Sequence, residues 1–289
     1  MQSSSHVTIH AFHYLTQRPV RIQCSGGRIV SIEPAGDAPE NVWVAPALLD
    51  VQVNGYGGVD FQQDDLTEAD LLLAMRQLRR DGCSRILLTL ITDEWPRLMA
   101  RLRQIKSLRD AHPELQRAIA GWHIEGPFLS QEPGFHGAHN PAVMCDPTPE
   151  HIRELREVTG TDPVLLTLAP ERRGSIEAIR LATSLGIKVS LGHTNASAET
   201  LQQAVEAGAT GFTHLGNGCP RELDRHDNIL WRVFETPGLI AGVIPDAIHV
   251  SPSPFRLMHR VLDQIYYTTD AMAAAGAPPG RYRLAHLEL

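Results

Sequence analysis

From residue 47 onward the chain repeats one unit, a short β-rich run followed by a segment with helical spacing. The runs are "ALLDVQVNG" (47–55), "SRILLTLIT" (84–92), "GWHIEGP" (121–127), "PVLLTLAP" (163–170), "KVSLGHT" (188–194), "GFTHLG" (211–216), "LIAGVI" (239–244) and "IYYTTDA" (265–271). Between them lie stretches such as "TEADLLLAMRQLRRDG", "TPEHIRELREVTG", "SIEAIRLATSLG" and "SAETLQQAVEAGA". Several open on Thr or Ser with Glu close behind and close on Gly, as helix caps require. Eight runs separated by seven helical stretches is the alternation of a parallel sheet. That count predicts an α/β fold closed into a (β/α)8 barrel, not an open doubly wound sheet. No G-x-G-x-x-G follows the first run, which weakens the dinucleotide-binding alternative.

Residues 1–46 read differently. "HVTIHAF", "VRIQCSG" and "GRIVSIEP" are short strands joined by Gly or polar turns, and they predict a small β layer. "NGYGGVDF" lacks the Lys-Ser/Thr of a phosphate loop and reads as a tight turn. At the other end, "APPGRYRLAHLEL" has room for a strand or two but not for an eighth helix. The expected domains are 1–46 (small β), 47–275 (barrel) and 276–289 (strands returning to the small β domain).

Composition narrows the function. The 289 residues are 43% hydrophobic and carry a formal net charge of −7 without a Lys/Arg run, which argues against a nucleic-acid or anionic-membrane surface. Cys24, Cys83, Cys145 and Cys219 are scattered and form no CxxC pair, so a disulfide framework or Cys-rich zinc site is not expected. No basic segment followed by an apolar run opens the chain, and no apolar stretch approaches membrane-spanning length. A cytoplasmic address is the expectation.

In a barrel, functional groups collect where strands end and βα loops begin. Gln52 and Asn54 stand near the end of run one, and His123 and Glu125 near the end of run three. His193, His214 and Asp270 close runs five, six and eight, and His249 follows run seven. Glu125 is the telling residue: in "GWHIEGPF" it sits among Trp122, Ile124 and Phe128, where an unpaired carboxylate is costly to bury. Two histidines from neighbouring strands with one carboxylate make a plausible site for zinc or a related divalent ion. A lone strand-end histidine is more often structural, and the spacing is not a compact motif such as HExxH.

Six stretches in order, "LLDVQVNGYGGVDF", "HIEGPFLS", "GAHNP", "SLGHTNA", "THLGNG" and "TTDAMAAAG", resemble the successive motifs of the N-acetylglucosamine-6-phosphate deacetylases, of the amidohydrolase superfamily. The resemblance implies a TIM-like barrel of the metal-dependent hydrolase type. It implies that Glu125, His193 and His214 hold the metal, that Asp270 acts as general base and then acid, and that His139 polarises the acetyl carbonyl. It places Ala138, Asn217, Gly218, Arg225 and His249 at the substrate, with Arg225 on the phosphate, reaching from a neighbouring subunit of a homodimer. Arg221 is the rival for that role, and backbone N–H groups around Asn217 and Gly218 are supplementary donors. Many amidohydrolases carry H-x-H on strand one. Here Gln52 and Asn54 take those positions as vestiges of a second metal site, and since neutral amides are poor ligands one metal per subunit is expected, zinc foremost, with iron, cobalt or manganese as alternatives. Glu171 in "TLAPE" reads as a helix cap, and His136 reads equally as lining the site or as a mobile-loop residue.

The family pattern runs on past the "TDAM" strand, so the C-terminal part is expected to be truncated, leaving apolar surface on strands one and eight. The implied reaction is hydrolysis of the N-acetyl group of N-acetylglucosamine-6-phosphate to glucosamine-6-phosphate and acetate. The alternatives are the galactosamine epimer as substrate, or a truncated, inactive sugar-phosphate-binding protein.

Overall fold

The computed structural model describes residues 6–288. The first five residues of the expected β layer, and Leu289 at the end of the expected returning strands, lie outside the described residues. The chain divides into two compact units, Met1–Ala47 and Leu48–Leu289.

In the first unit, β1 (His6–His13), β2 (Pro19–Ser25) and β3 (Arg28–Pro34) pair antiparallel, and β4 (Trp43–Val44) adds parallel to β1. Ile9 lies opposite Ile22, and Ala11 and Ile22 are buried.

The second unit begins with β5 (Leu48–Val53) and a small hairpin, β6 (Gly55–Tyr56) and β7 (Val59–Asp60). Its turn residues Gly57 and Gly58 have φ of 62° and 90°, the backbone a two-residue hairpin turn needs. Then α1 (Glu68–Arg80), β8 (Cys83–Ile91), α2 (Trp95–Ala111), α3 (Pro113–Ala118) and β9 (Ile119–Glu125) follow in turn. The alternation continues through α4 (Pro149–Thr159), β10 (Val164–Leu168), α5 (Ser175–Ser184), β11 (Lys188–Leu191), α6 (Ala198–Glu206) and β12 (Gly211–Phe212). It ends with α7 (Ile229–Phe234), β13 (Ile240–Val243), α8 (Pro252–Val261) and β14 (Ile265–Tyr267). Several helices start where capping chemistry dictates: Thr67 and Asp70 form a reciprocal capping box on α1, and Ser197 accepts from the N–H of Thr200 on α6.

The eight parallel strands lie side by side in chain order, β5-β8-β9-β10-β11-β12-β13-β14. Alternation along each strand sorts the side chains. Leu88, Leu90, Trp122, Ile124, Leu166, Leu168, Val189 and Leu191 are buried in the main apolar core with the helices. The intervening Thr89, His123, Thr167 and Ser190 meet across the interior. There His123 Nε2 lies 2.7 Å from Thr167 Oγ1, which lies 2.8 Å from Thr213 Oγ1, itself 2.7 Å from Ser190 Oγ. His123 Nδ1 lies 3.0 Å from the Val51 carbonyl. With both ring nitrogens engaged inside the barrel, burial lowers its pKa to about 4, and His123 is a structural residue below the rim.

Between β14 and β5 the ladder thins to one bridge, Val53 to Ala271, with the Asn54 N–H donating to the Ala271 carbonyl at 2.7 Å. A buried carboxylate does the remaining work. Asp50 Oδ1 accepts from Gln52 N (3.0 Å) and Thr268 Oγ1 (2.5 Å), and Oδ2 accepts from Thr269 N (3.0 Å). The first and eighth strands are joined through this side chain and that single bridge.

No helix follows β14 among the described residues, and Leu48, Leu49 and Tyr267 on the first and eighth strands are exposed. The segment read as returning to the small β domain instead pairs with itself: β15 (Arg283–Leu284) and β16 (Leu287–Glu288) form a separate hairpin. The Ala285 N–H donates to Asp60 Oδ2 at 3.2 Å, which anchors that hairpin within the second unit.

Replacing Asp50 with Ala strands three buried donors at once, so unfolding free energy in urea should drop by about 3 kcal/mol. Asp50→Asn keeps one carbonyl acceptor and should lose about half as much; equal stability of Asp50→Ala and the parent would contradict the seam assignment.

Candidate metal centre

Among the described residues, Glu125, His193 and His214 form a group whose donor atoms all lie within 4.8 Å of one another, and all three side chains are buried. Each stands at the end of a barrel strand: Glu125 closes β9, and His193 and His214 follow the adjacent strands β11 and β12. His214 Nε2 lies 2.9 Å from Glu125 Oε1 and 3.1 Å from His193 Nε2, and His193 Nε2 lies 3.3 Å from the same Glu125 oxygen. His193 Nδ1 donates to the Phe135 carbonyl at 2.7 Å, so its Nε2 faces inward as a lone pair.

One proton, on His214 Nε2, therefore faces two acceptors. A divalent ion satisfies such a cluster better, because all three atoms then donate to it. A tetrahedral zinc with bonds of about 2.0–2.1 Å sets its donor atoms about 3.3 Å apart, close to the spacing found here. Two imidazoles and a carboxylate are also a donor set that zinc accepts. The residues fit the ion.

Electrostatics follow from burial and crowding. Burial raises the Glu125 carboxyl, but its close contacts with the His193 and His214 rings outweigh it and hold the group well below the usual carboxylate range. Burial disfavours charge on His214, yet its hydrogen bond to Glu125 and that carboxylate's charge leave its pKa raised. His139, the fourth ring, has its Nε2 3.7 Å from Glu125 Oε2; burial and then the neighbouring His193 push it down to about 3. Its Nδ1 lies 2.8 Å from Thr92 Oγ1, a residue at the end of β8 that the sequence did not mark.

Gln52 and Asn54 are not idle remnants. Gln52 Nε2 donates to Glu125 Oε1 at 3.0 Å, and Asn54 Nδ2 donates to Asp270 Oδ1 at 2.7 Å. Neutral amides can donate where a histidine pair would ligate, so these two orient carboxylates. Burial, with the Glu125 charge adding to it, pushes Asp270 up to about 7. His193, His214 and Asp270 all have left-handed backbones, with φ of 49°, 32° and 52°. His and Asp tolerate that region better than most residues, though at a cost.

The remaining expected substrate residues stand further out. Ala138, Arg225 and His249 lie exposed on loops, and neither Arg225 nor Arg221 forms an ion pair among the described residues. His249 Nδ1 is held by Asp246 Oδ2 at 2.6 Å. The Asn217 N–H, expected as an anion donor, is already given to the His214 carbonyl at 2.9 Å. Gly218 packs on the ligand rings: a Cβ there would lie 3.1 Å from His214 Cε1 and 3.2 Å from His193 Nδ1, so a side chain would press on both. His136 turns its Nδ1 to the neighbouring Gly137 carbonyl at 3.0 Å. Glu171 is not a helix cap. The N-cap of α5 is Gly174, and Glu171 instead accepts from Thr194 Oγ1 and from Asn195 N, the latter at 3.0 Å.

No family model matches the chain. Among curated proteins, it is 34% identical over 260 residues to an N-acetylglucosamine-6-phosphate deacetylase of Danio rerio, a match covering 86% of this chain and 63% of that protein. It is likewise 34% identical over 263 residues to an N-acetylgalactosamine-6-phosphate deacetylase of a Shewanella strain, covering 89% of this chain and 64% of the other. The chain thus spans somewhat under two thirds of the length of the curated relatives it matches. A solved structure of a mutant N-acetyl-D-glucosamine-6-phosphate deacetylase from Mycobacterium smegmatis, in complex with N-acetyl-D-glucosamine-6-phosphate, superposes with a TM-score of 0.84 at 29% identity. That match covers 98% of this chain and 75% of that one. Over 86% of its length in sequence and 98% in fold, the chain is similar to N-acetylglucosamine-6-phosphate deacetylases.

Proposed function

We propose that the chain is the catalytic portion of a metal-dependent deacetylase that hydrolyses N-acetylglucosamine-6-phosphate to glucosamine-6-phosphate and acetate. The observation that carries this reading is the convergence of Glu125, His193 and His214 at one mouth of the barrel, with Asp270 and His139 beside them. Glu125, His193 and His214 would hold one divalent ion, zinc before iron, cobalt or manganese given two imidazole donors. Bound there, the ion supplies the positive charge that acidifies a water and polarises a carbonyl.

The chain's own groups supply the rest. Asp270, steadied by Asn54, accepts a proton from the attacking water and returns it to the departing sugar nitrogen. His139 donates to the developing oxyanion from Nε2, which requires the ring proton there. Its Nδ1 lies 2.8 Å from Thr92 Oγ1, which fixes the ring plane and itself donates to the Glu125 carbonyl at 3.3 Å. Gln52 holds Glu125 in place, and one metal suffices because neither Gln52 nor Asn54 is left as a ligand.

Arg225 binds the sugar phosphate, reaching it from a second copy of the chain in a homodimer; an exposed guanidinium with no ion pair among the described residues suits a forked anion contact. His249, with Nδ1 fixed by Asp246, presents Nε2 to the sugar, beside Ala138 and the Asn217 side chain. Four unpaired cysteines support a reducing, cytoplasmic location, and no helix among the described residues is long and apolar enough to cross a membrane.

Stripping the metal with a chelator should abolish acetate release, and zinc should restore it. Asp270→Asn should lower kcat by about 100-fold or more with the metal retained. Turnover that survives either treatment contradicts the mechanism. Parallel assays on the gluco and galacto epimers decide which sugar the protein prefers.

The pH profile carries its own sign. Asp270 must be ionised to take a proton, and burial has raised its carboxyl, so kcat/KM should fall on the acid side. A bound cation's charge moves that limb to lower pH. A profile without an acid limb argues against Asp270 as the base. Arg225→Ala should raise KM for the phosphorylated sugar by about tenfold and leave the unphosphorylated sugar unaffected.

A further inference from the structure

Asn195 lies two residues beyond His193, in the turn that carries the chain from β11 to α6. Every polar group it has is engaged. Its N–H donates to Glu171 Oε1 at 3.0 Å, and its Nδ2 donates to both Glu132 oxygens at 3.1 and 3.0 Å. Its carbonyl and its Oδ1 accept from Arg232 Nη1 at 3.2 and 3.1 Å, and the same nitrogen donates to the Ala196 carbonyl at 3.1 Å. Asp227 holds the other side of that guanidinium, at 2.6 and 2.8 Å. A carboxylate on one side of the amide and a guanidinium on the other admit only one orientation of the side chain. The reverse would set oxygen against Glu132 and NH2 against Arg232.

These partners come from separate loops. Glu132 belongs to the segment between β9 and α4, which also brings Phe135, whose carbonyl fixes His193, and His139. Glu171 follows β10. Arg232 sits on α7, and Asp227 stands two residues from Arg225. One residue therefore joins the loop of a metal ligand to the segments that follow β9, β10 and β12. His193 needs such restraint, because a left-handed backbone at a histidine persists only where its surroundings over-determine it.

We propose that Asn195 is a positioning residue of this site: it fixes the turn behind His193 and, through Arg232 and Asp227, ties that turn to the segment bearing Arg225. The proposal rests on the metal-site reading above. Its carboxylate partners are exposed, so the bonds contribute little to global stability and act mainly on geometry. Partners that orient a metal ligand from behind characteristically change metal affinity when removed.

The test uses the full chain, with zinc affinity read by chelator competition and stability by thermal melting. Asn195→Ala should weaken zinc binding by about tenfold and raise KM for the sugar phosphate, while the melting temperature of the zinc-free protein stays within a few degrees. The double variant Asn195→Asp with Glu132→Gln keeps the total charge and the hydrogen bond, with donor and acceptor exchanged. It should bind zinc within about threefold of the parent. Parent-like zinc affinity in Asn195→Ala overturns the proposal, as does a double variant no better than the alanine. If the parent itself binds no zinc that Glu125→Gln abolishes, the metal-site reading falls and this proposal falls with it. If the parent binds and only the Asn195 variants are silent, the proposal alone is lost.

Discussion

Everything at the mouth of the barrel depends on the seam between its first and last strands. Seven of the eight junctions are ordinary parallel ladders, but at the eighth the ladder is reduced to one bridge and the Asp50 side chain. By gathering Gln52 N, Thr268 Oγ1 and Thr269 N, that carboxylate sets both ends of the reactive arc. Gln52, its donor on β5, leads through Val53 to Asn54, and the residue after Thr269 is Asp270. The hydrogen bond between Asn54 and Asp270 is therefore a product of closure, and the proton transfer proposed for Asp270 would inherit its geometry from a strand junction.

The site itself is an exercise in neutralising one buried carboxylate. Glu125 is surrounded by His214, His139 and Gln52, three side chains able to donate toward it, while His193 turns its Nε2 lone pair into the same space. Glu125 is buried, so these few donors must do much of what solvation would do elsewhere. The same crowding opposes charge on His139 and favours the proton on Asp270, which separates the roles of neighbouring titratable groups without any residue far from the rim.

The barrel could be read from the chain because its central strands are buried on both faces and several of its helices are capped. Those are local patterns, written within a dozen residues. Glu125 was legible for a related reason, since a charge inside an apolar run demands a partner. Other residues left no such trace. Asp50 and Thr92 look like ordinary strand polar residues until the partners at 268, 269 and 139 arrive beside them. Glu171 looked like a cap because it precedes a helix, but Gly174 starts that helix and Thr194 competes for the carboxylate. Gln52 and Asn54 were read by what they replace, when what matters is what their amide N–H groups reach. Contacts between residues far apart in sequence carry no periodicity, and that is where the sequence falls silent.

The left-handed backbones at positions 193, 214 and 270 have an evolutionary corollary. At each of them glycine would sit with less strain, yet glycine carries no donor atom. A lineage drifting under selection for robustness alone would lose the ring or carboxyl at those places first. Two imidazoles and an acid at these positions cost backbone strain that glycine would avoid, and what they add is donor atoms at the rim.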